Sequence, residues 1–216
     1  MKRKLAPILA GLLLTAGLVL WSGCASTGGP SLDRVETQTV EQENFQLTLP
    51  AAWTALEAEG EHVACAYQTA DGRLQLQIME EWGGMEYYSL DEVGDLLCQE
   101  LSQALFAQDL AASLSAGEAL SEQGNSQYYY CRTLSGQDAQ GGELVCHVDV
   151  LAPYASVRYY LIYTADKESF EQNKQIIRDV LPTFAMGKTA EEIYQIIEEE
   201  RTKAAEEAAN QQEEIK

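Results

Sequence analysis

Phe45, Leu47 and Leu49 alternate with Gln46 and Thr48, the period of a half-buried strand, and Pro50 stops it. Trp53 follows in a turn. Two further strand-like runs, His62 to Thr69 and Arg73 to Glu81, flank Asp71-Gly72, a strong hairpin signal. Centring the turn there sets Thr69, Tyr67 and Cys65 opposite Leu74, Leu76 and Ile78, all on one apolar face. Ala66, Gln68, Gln75 and Gln77 take the other face. Ser89-Leu90-Asp91-Glu92 has the form of a capping box. Behind it Leu90, Val93, Leu97, Leu101 and Leu105 repeat at helical spacing, with Leu96 and Cys98 beside the stripe, predicting a helix to about Gln108. A weak strand is expected over Leu114 to Ser121. Gln127 to Leu134 and Glu143 to Ala152 read as strands joined by the loop Ser135 to Gly142. Ser156 to Thr164 is apolar on both faces, with Tyr159, Leu161 and Tyr163 on one and Tyr160 and Ile162 on the other. That pattern predicts a central strand covered on both sides. Asp166 is placed to cap a helix carrying Phe170, Ile176, Ile177, Val180 and Leu181, which Pro182 ends, with Phe184 packed beneath it.

The order of elements predicts an α+β fold, a mostly antiparallel sheet covered by helices. The two ends of the chain differ from this middle. Lys2, Arg3 and Lys4 precede the apolar run Leu5 to Trp21, and Ser22-Gly23-Cys24 closes it, the pattern of a secretory signal. Ala25 to Glu43 is polar, with Gly28-Gly29-Pro30 near its start, and reads as a flexible tether. At the other end Thr189-Ala190-Glu191-Glu192 is a second capping box. The Glu- and Ala-rich helix behind it is apolar only at Ile193, Tyr194, Ile196 and Ile197, which predicts a docked first turn and then a solvated helix. The expected organisation is a signal over 1–23, a tether over 24–43, a globular domain over 44–187 and an acidic C-terminal helix over 188–216. Truncation after Gly187 is expected to leave that domain folded.

Charge narrows the partners. The chain carries a formal charge of −20. Loss of the signal removes three of the basic residues, leaving 11 against 34 acidic ones, or −23. Such a surface repels nucleic acid and anionic headgroups alike. Attachment to a membrane must then come from acyl chains. Ser22-Gly23-Cys24 resembles the lipobox of bacterial lipoproteins, which implies cleavage before Cys24 and lipid on its thiol. Both the signal and this resemblance place the rest of the chain outside the cytoplasmic membrane.

Candidate chemistry is sparse. Cys65, Cys98, Cys131 and Cys146 remain after Cys24, and two disulfides would allow three connectivities. Centring the later hairpin midway through its loop puts Cys131 opposite Cys146, the candidate disulfide. His62-x-x-Cys65 and Cys146-His147 are the only metal-like groupings, and neighbours at those spacings point to opposite faces of a strand. No cofactor is expected. There is no Gly-rich phosphate loop, no GxSxG elbow and no HExxH. The most unusual stretch is Trp82-Gly83-Gly84-Met85-Glu86-Tyr87-Tyr88, where Gly gives freedom and Trp82, Met85, Tyr87 and Tyr88 give contact area. It reads either as a cap on the core or as a partner-binding or ligand-binding loop.

Phe45-Gln46-Leu47-Thr48-Leu49-Pro50 followed by Trp53 resembles the F-x-L-x-x-P-x-x-W opening of PsbP-like and DcrB-like domains. Tyr163-Thr164, Phe170, Ile176-Ile177 and Phe184 resemble that superfamily's closing strand and helix. The resemblance implies an α/β/α sandwich in a membrane-tethered, extracytoplasmic accessory protein, and it transfers no catalytic residue. The expected function is non-catalytic: a lipid-anchored protein that engages an envelope protein partner or a small ligand. The alternatives are an envelope enzyme with an unrecognised site, or a solute-binding component of a transporter.

Overall fold

The computed structural model describes residues 29–60, 62–83, 88–107, 129–154, 157–189, 191–199 and 202–203. The signal, Cys24, the expected strand over Leu114 to Ser121 and the helix beyond residue 203 lie outside them. The described elements are β1 (Thr37–Glu41), β2 (Phe45–Pro50), β3 (Thr54–Leu56), β4 (Val63–Gln68), β5 (Leu74–Trp82), α1 (Leu90–Leu105), β6 (Tyr129–Gln137), β7 (Glu143–Tyr154), β8 (Val157–Asp166), α2 (Lys167–Val180) and β9 (Ala185–Met186). A last helix, α3, covers residues 191–199. The fold is α+β. A six-stranded antiparallel sheet runs β3-β4-β5-β8-β7-β6, and a three-stranded one runs β1-β2-β9.

The central place of β8 follows from its composition. Every residue from Val157 to Ala165 is buried, which only a strand with neighbours on both edges and layers on both faces can achieve. Tyr159, Leu161 and Tyr163 face one core with Leu74, Leu76 and Ile78. Tyr160 and Ile162 face a second core with Val148, Val150 and the α1 side chains Val93, Leu97, Cys98 and Leu101. Helix α1 starts where Ser89 accepts from the Glu92 N–H and Glu92 returns to the Ser89 N–H. Its Gly94 is required by packing, because a Cβ there would sit 2.4 Å from the Tyr130 ring. Helix α2 starts at Asp166, whose carboxylate accepts from the Ser169 N–H at 2.9 Å. The β4–β5 register pairs Cys65 with Ile78 and Tyr67 with Leu76, as the Asp71-Gly72 turn requires. Gly72 takes φ +69° to close that turn.

The chain termini of the domain depart from the sequence expectation. The tether expected over residues 24–43 already holds structure from Leu32 onward. Residues Leu32–Arg34 form a 3₁₀ turn whose Leu32 N–H donates to Asp179 of α2 at 2.9 Å. Strand β1 then pairs along β2, from Thr37 opposite Pro50 to Glu41 opposite Gln46. This segment has no hydrophobic period because an outer strand is held by backbone hydrogen bonds and needs only Val40 to reach the core. Strand β3, which the sequence pattern does not predict, is held to β4 in the same way. At the other end α3 begins with the expected capping box, Thr189 with Glu192. Its Ile193 is fully buried and Ile197 is 6 % exposed, both within the core under α2. The first turn docks as expected, but it docks into the core itself, so a boundary after Gly187 cuts through that core.

Truncation after Gly187 removes two buried isoleucines, and each is worth about 2 kcal/mol or more. We expect the shortened chain to melt about 10 °C or more below the full chain. An unchanged melting temperature would show that α3 is an appendage.

Candidate functional site

The motif segment Pro50 to Trp53 does more than turn the chain. The Trp53 N–H donates to Pro50 O at 3.0 Å, and Gln38 of β1 donates to both Pro50 O and Trp53 O, at 3.1 and 2.8 Å. This tight turn forms one wall of an open cleft of 560 Å³, a volume in the range of ligand sites. Val35 and Glu36 line it on the side where the chain enters β1. Thr69, Ala70 and Asp71 of the β4–β5 turn line another side, and Asn173 and Ile176 of α2 the third. Asp71 is fixed from within its own turn, accepting from Thr69 Oγ1 at 2.6 Å and from the Arg73 N–H at 3.1 Å. Arg73 turns away from the cleft into a two-pronged bond with Asp166, at 2.9 and 2.7 Å, and reaches Glu168 at 2.7 Å. Burial raises the Asp166 carboxyl, but Arg73 and the helix N–H groups outweigh it and hold the group below the usual range. The lining is apolar at the base and acidic at two rims, and no lining residue is basic.

A second cluster lies on the sheet face of β6 and β7 beneath α2. Tyr129 donates to Asp149 Oδ1 at 2.7 Å, His147 Nε2 lies 3.2 Å from the same oxygen, and His147 Nδ1 lies 2.8 Å from Thr133 Oγ1. Asp149 is 1 % exposed and His147 is 7 %. Desolvation, then the Asp149 charge, pushes the Tyr129 hydroxyl far up, so it stays a donor. The Tyr163 hydroxyl, raised in the same way, has no hydrogen-bond partner among the described residues. Hydroxyl, imidazole and carboxylate here follow the order of a nucleophile, base and orienting acid. The chain is nevertheless a cross-strand ladder: Thr133 opposes His147 directly, and Tyr129 takes a share of the carboxylate that orients the ring. It satisfies buried polar groups rather than presenting a reactive one.

The sequence candidates fall in different places. Cys131 opposes Asp149, whereas Cys146 opposes Leu134. The expected Cys131–Cys146 disulfide is therefore wrong, since the two thiols lie on opposite faces of the sheet. The hairpin turns at Asp138 to Gly142, with Gly141 at φ +83°, later than the midpoint of the expected loop. Three residues of register shift, an odd number, turns one partner to the other face. Cys146 is fully buried and its thiol is pushed up to about 12 by desolvation, so it is an inert core group. His147 points away from Cys146, into the ladder just described. Of the loop candidates, Gly84, Met85 and Tyr87 lie outside the described residues, as does Cys24. Trp82 packs half-buried on the core beneath α2, Gly83 takes φ +76°, and Tyr88 is 49 % exposed. The loop base is held by Tyr160 donating to Glu81 and by Arg158 donating to Tyr88 O. Sequence reasoning did not find the cleft. Its signal was the P-x-x-W spacing, which packs Trp53 under the turn and leaves Ala51 and Ala52 outside.

No family model matches the chain, and no curated protein does either. Among solved structures it is similar to the Ran-binding protein Mog1p of Saccharomyces cerevisiae, at 11 % identity and TM-score 0.49, over 70 % of this chain and 95 % of that one. A Bacteroides thetaiotaomicron protein gives 15 % identity and TM-score 0.41, over 71 % of this chain and 53 % of that one. Cyanobacterial PsbP (CyanoP) from Synechocystis gives 9 % identity and TM-score 0.42, over 76 % of this chain and 98 % of that one. At these identities and TM-scores the likeness transfers no function, and the α+β assignment rests on the strand order itself. No helix among the described residues is long and apolar enough to cross a membrane.

Asp149→Ala tests the ladder. It leaves the Tyr129 hydroxyl and a buried imidazole nitrogen without their acceptor, and we expect a loss of about 3 kcal/mol by denaturant unfolding. A loss below about 1 kcal/mol would show that the ladder contributes little to the fold.

Proposed function

We propose that this chain is a lipid-anchored, extracytoplasmic, non-catalytic accessory protein that engages an envelope protein through the cleft at its tethered end. The observation that carries this reading is the position of the cleft. Val35 and Glu36, which line it, follow directly on the 3₁₀ turn at Leu32–Arg34. Only Ala25 to Ser31 separate Cys24 from that turn, a reach of at most about 25 Å. An anchor on Cys24 would thus hold the cleft close to the membrane surface, within range of the exposed part of an integral membrane protein. The acidic surface supports acyl attachment over headgroup binding, and the signal pattern supports export. The loop from Trp82 to Tyr88 is the second contact surface in this reading, through the exposed Tyr88.

Two measurements on intact cells test it. Labelling with a fatty-acid probe should mark the protein, and Cys24→Ala should abolish the mark. A photo-crosslinking residue at Ala52 should give a discrete adduct that is lost with Cys24→Ala, while the same residue at Glu171 gives none. Label retained by Cys24→Ala would remove the anchor. Equal crosslinking at Ala52 and Glu171 would remove the cleft as the contact.

A further inference from the structure

The cleft has a lining that selects its occupant. Its base is apolar and rigid: Pro50 and Trp53 are locked by Gln38, and Ile176 is fixed in the core on α2. Ala51 and Ala52 are exposed and small, so none of the described residues fills the space above Trp53. At the rims stand two carboxylates from separate elements, Glu36 on the way into β1 and Asp71 in the β4–β5 turn. Neither is ion-paired among the described residues. The basic residue nearest Asp71 in sequence, Arg73, is spent on Asp166 and Glu168. Asn173 donates its amide to Ser169 O, which leaves its carbonyl oxygen as a further acceptor beside the cleft. An apolar floor between two carboxylates and an amide oxygen is complementary to an aliphatic stem that ends in a cation.

We infer that the cleft binds an extended peptide segment of the partner in which an apolar residue is flanked by lysine or arginine. The apolar residue seats over Trp53 and Ile176 between Ala51 and Ala52. The flanking cations reach Glu36 and Asp71, and an aliphatic stem crossing the Trp53 edge gains contact as well as charge. This rests on the binding reading above and specifies the chemistry of its partner.

Calorimetric titration of the full chain with the blocked peptide Lys-Leu-Lys-Leu-Lys tests the inference. Saturable one-to-one binding is expected, with none for Glu-Leu-Glu-Leu-Glu and weaker binding for Lys-Gly-Lys-Gly-Lys, which lacks the anchor. Glu36→Gln should weaken the first peptide about fivefold, the value of one exposed ion pair near its upper limit. Ala52→Trp should fill the cleft and abolish binding. Both positions are exposed, so both variants should melt with the parent protein. Glu171→Gln, an equal charge change elsewhere, should leave binding as it is. If Glu36→Gln and Glu171→Gln weaken binding equally, the attraction belongs to the acidic surface as a whole and the inference fails. It fails also if Ala52→Trp still binds, or if no titration saturates. Because the titration needs no membrane, a cleft-dependent result on a chain whose Cys24 takes no lipid would leave the peptide site standing without the anchor.

Discussion

Burial of β8 on both faces is the constraint from which the other elements follow. Nine consecutive residues of a strand cannot leave water unless something lies over each side. Tyr159, Leu161 and Tyr163 require a layer on one face, Tyr160 and Ile162 on the other. Among the described residues, helix α1 and Phe106 just beyond it cover the second face. The first is supplied by a composite of α2, α3 and the small sheet, with Phe45 edge-on to Tyr159 and Phe184 tilted against it, at ring centroid distances of 5.3 and 4.9 Å. The residues that a sequence reader divides between tether, domain and tail all contribute to that composite. Leu32, Val40, Ile193 and Ile197 are its outer members.

Because the composite layer is built from small pieces, it does not close completely. The cleft lies where the β2–β3 turn, the β4–β5 turn and α2 meet. One continuous helix would have covered that corner. Three elements held together by turns leave it open, with Glu36 and Asp71 at its rims. The polar ladder of Tyr129, Asp149, His147 and Thr133 has a similar origin. It lies toward the outer strand β6, where tyrosine, threonine and histidine meet their hydrogen-bond needs across the strands. The cleft and the buried network are thus both consequences of how β8 is covered.

The parts of this arrangement legible in the sequence are those governed by local rules. The capping box at Ser89, the Asp166 cap, the turn at Asp71-Gly72 and the two-faced pattern of β8 each involve residues a few positions apart. Each appears in the structure with the partners expected. What escaped depended on pairing at a distance. Strand β1 carries one buried apolar residue, Val40, and is defined by the backbone of β2. The β6–β7 register turned on which of several polar residues made the bend, and Gly141, not the loop midpoint, decided it. The cleft residues come from four separate stretches and share no local pattern. Trp53 was visible, but that its turn formed the wall of a site was not.

The dependence on β8 has a direct measure in native-state hydrogen exchange across the described strands. If double coverage of β8 holds the fold together, its amides from Val157 to Ala165, with their partners in β5 and β7, should exchange last. They should do so only through global unfolding, with the same free energy as denaturant melting. The amides of β1 and α3 should open earlier, at lower free energy. Exchange of β8 through a local opening while β1–β2 or α1 stays protected would contradict this account and place the organising core elsewhere.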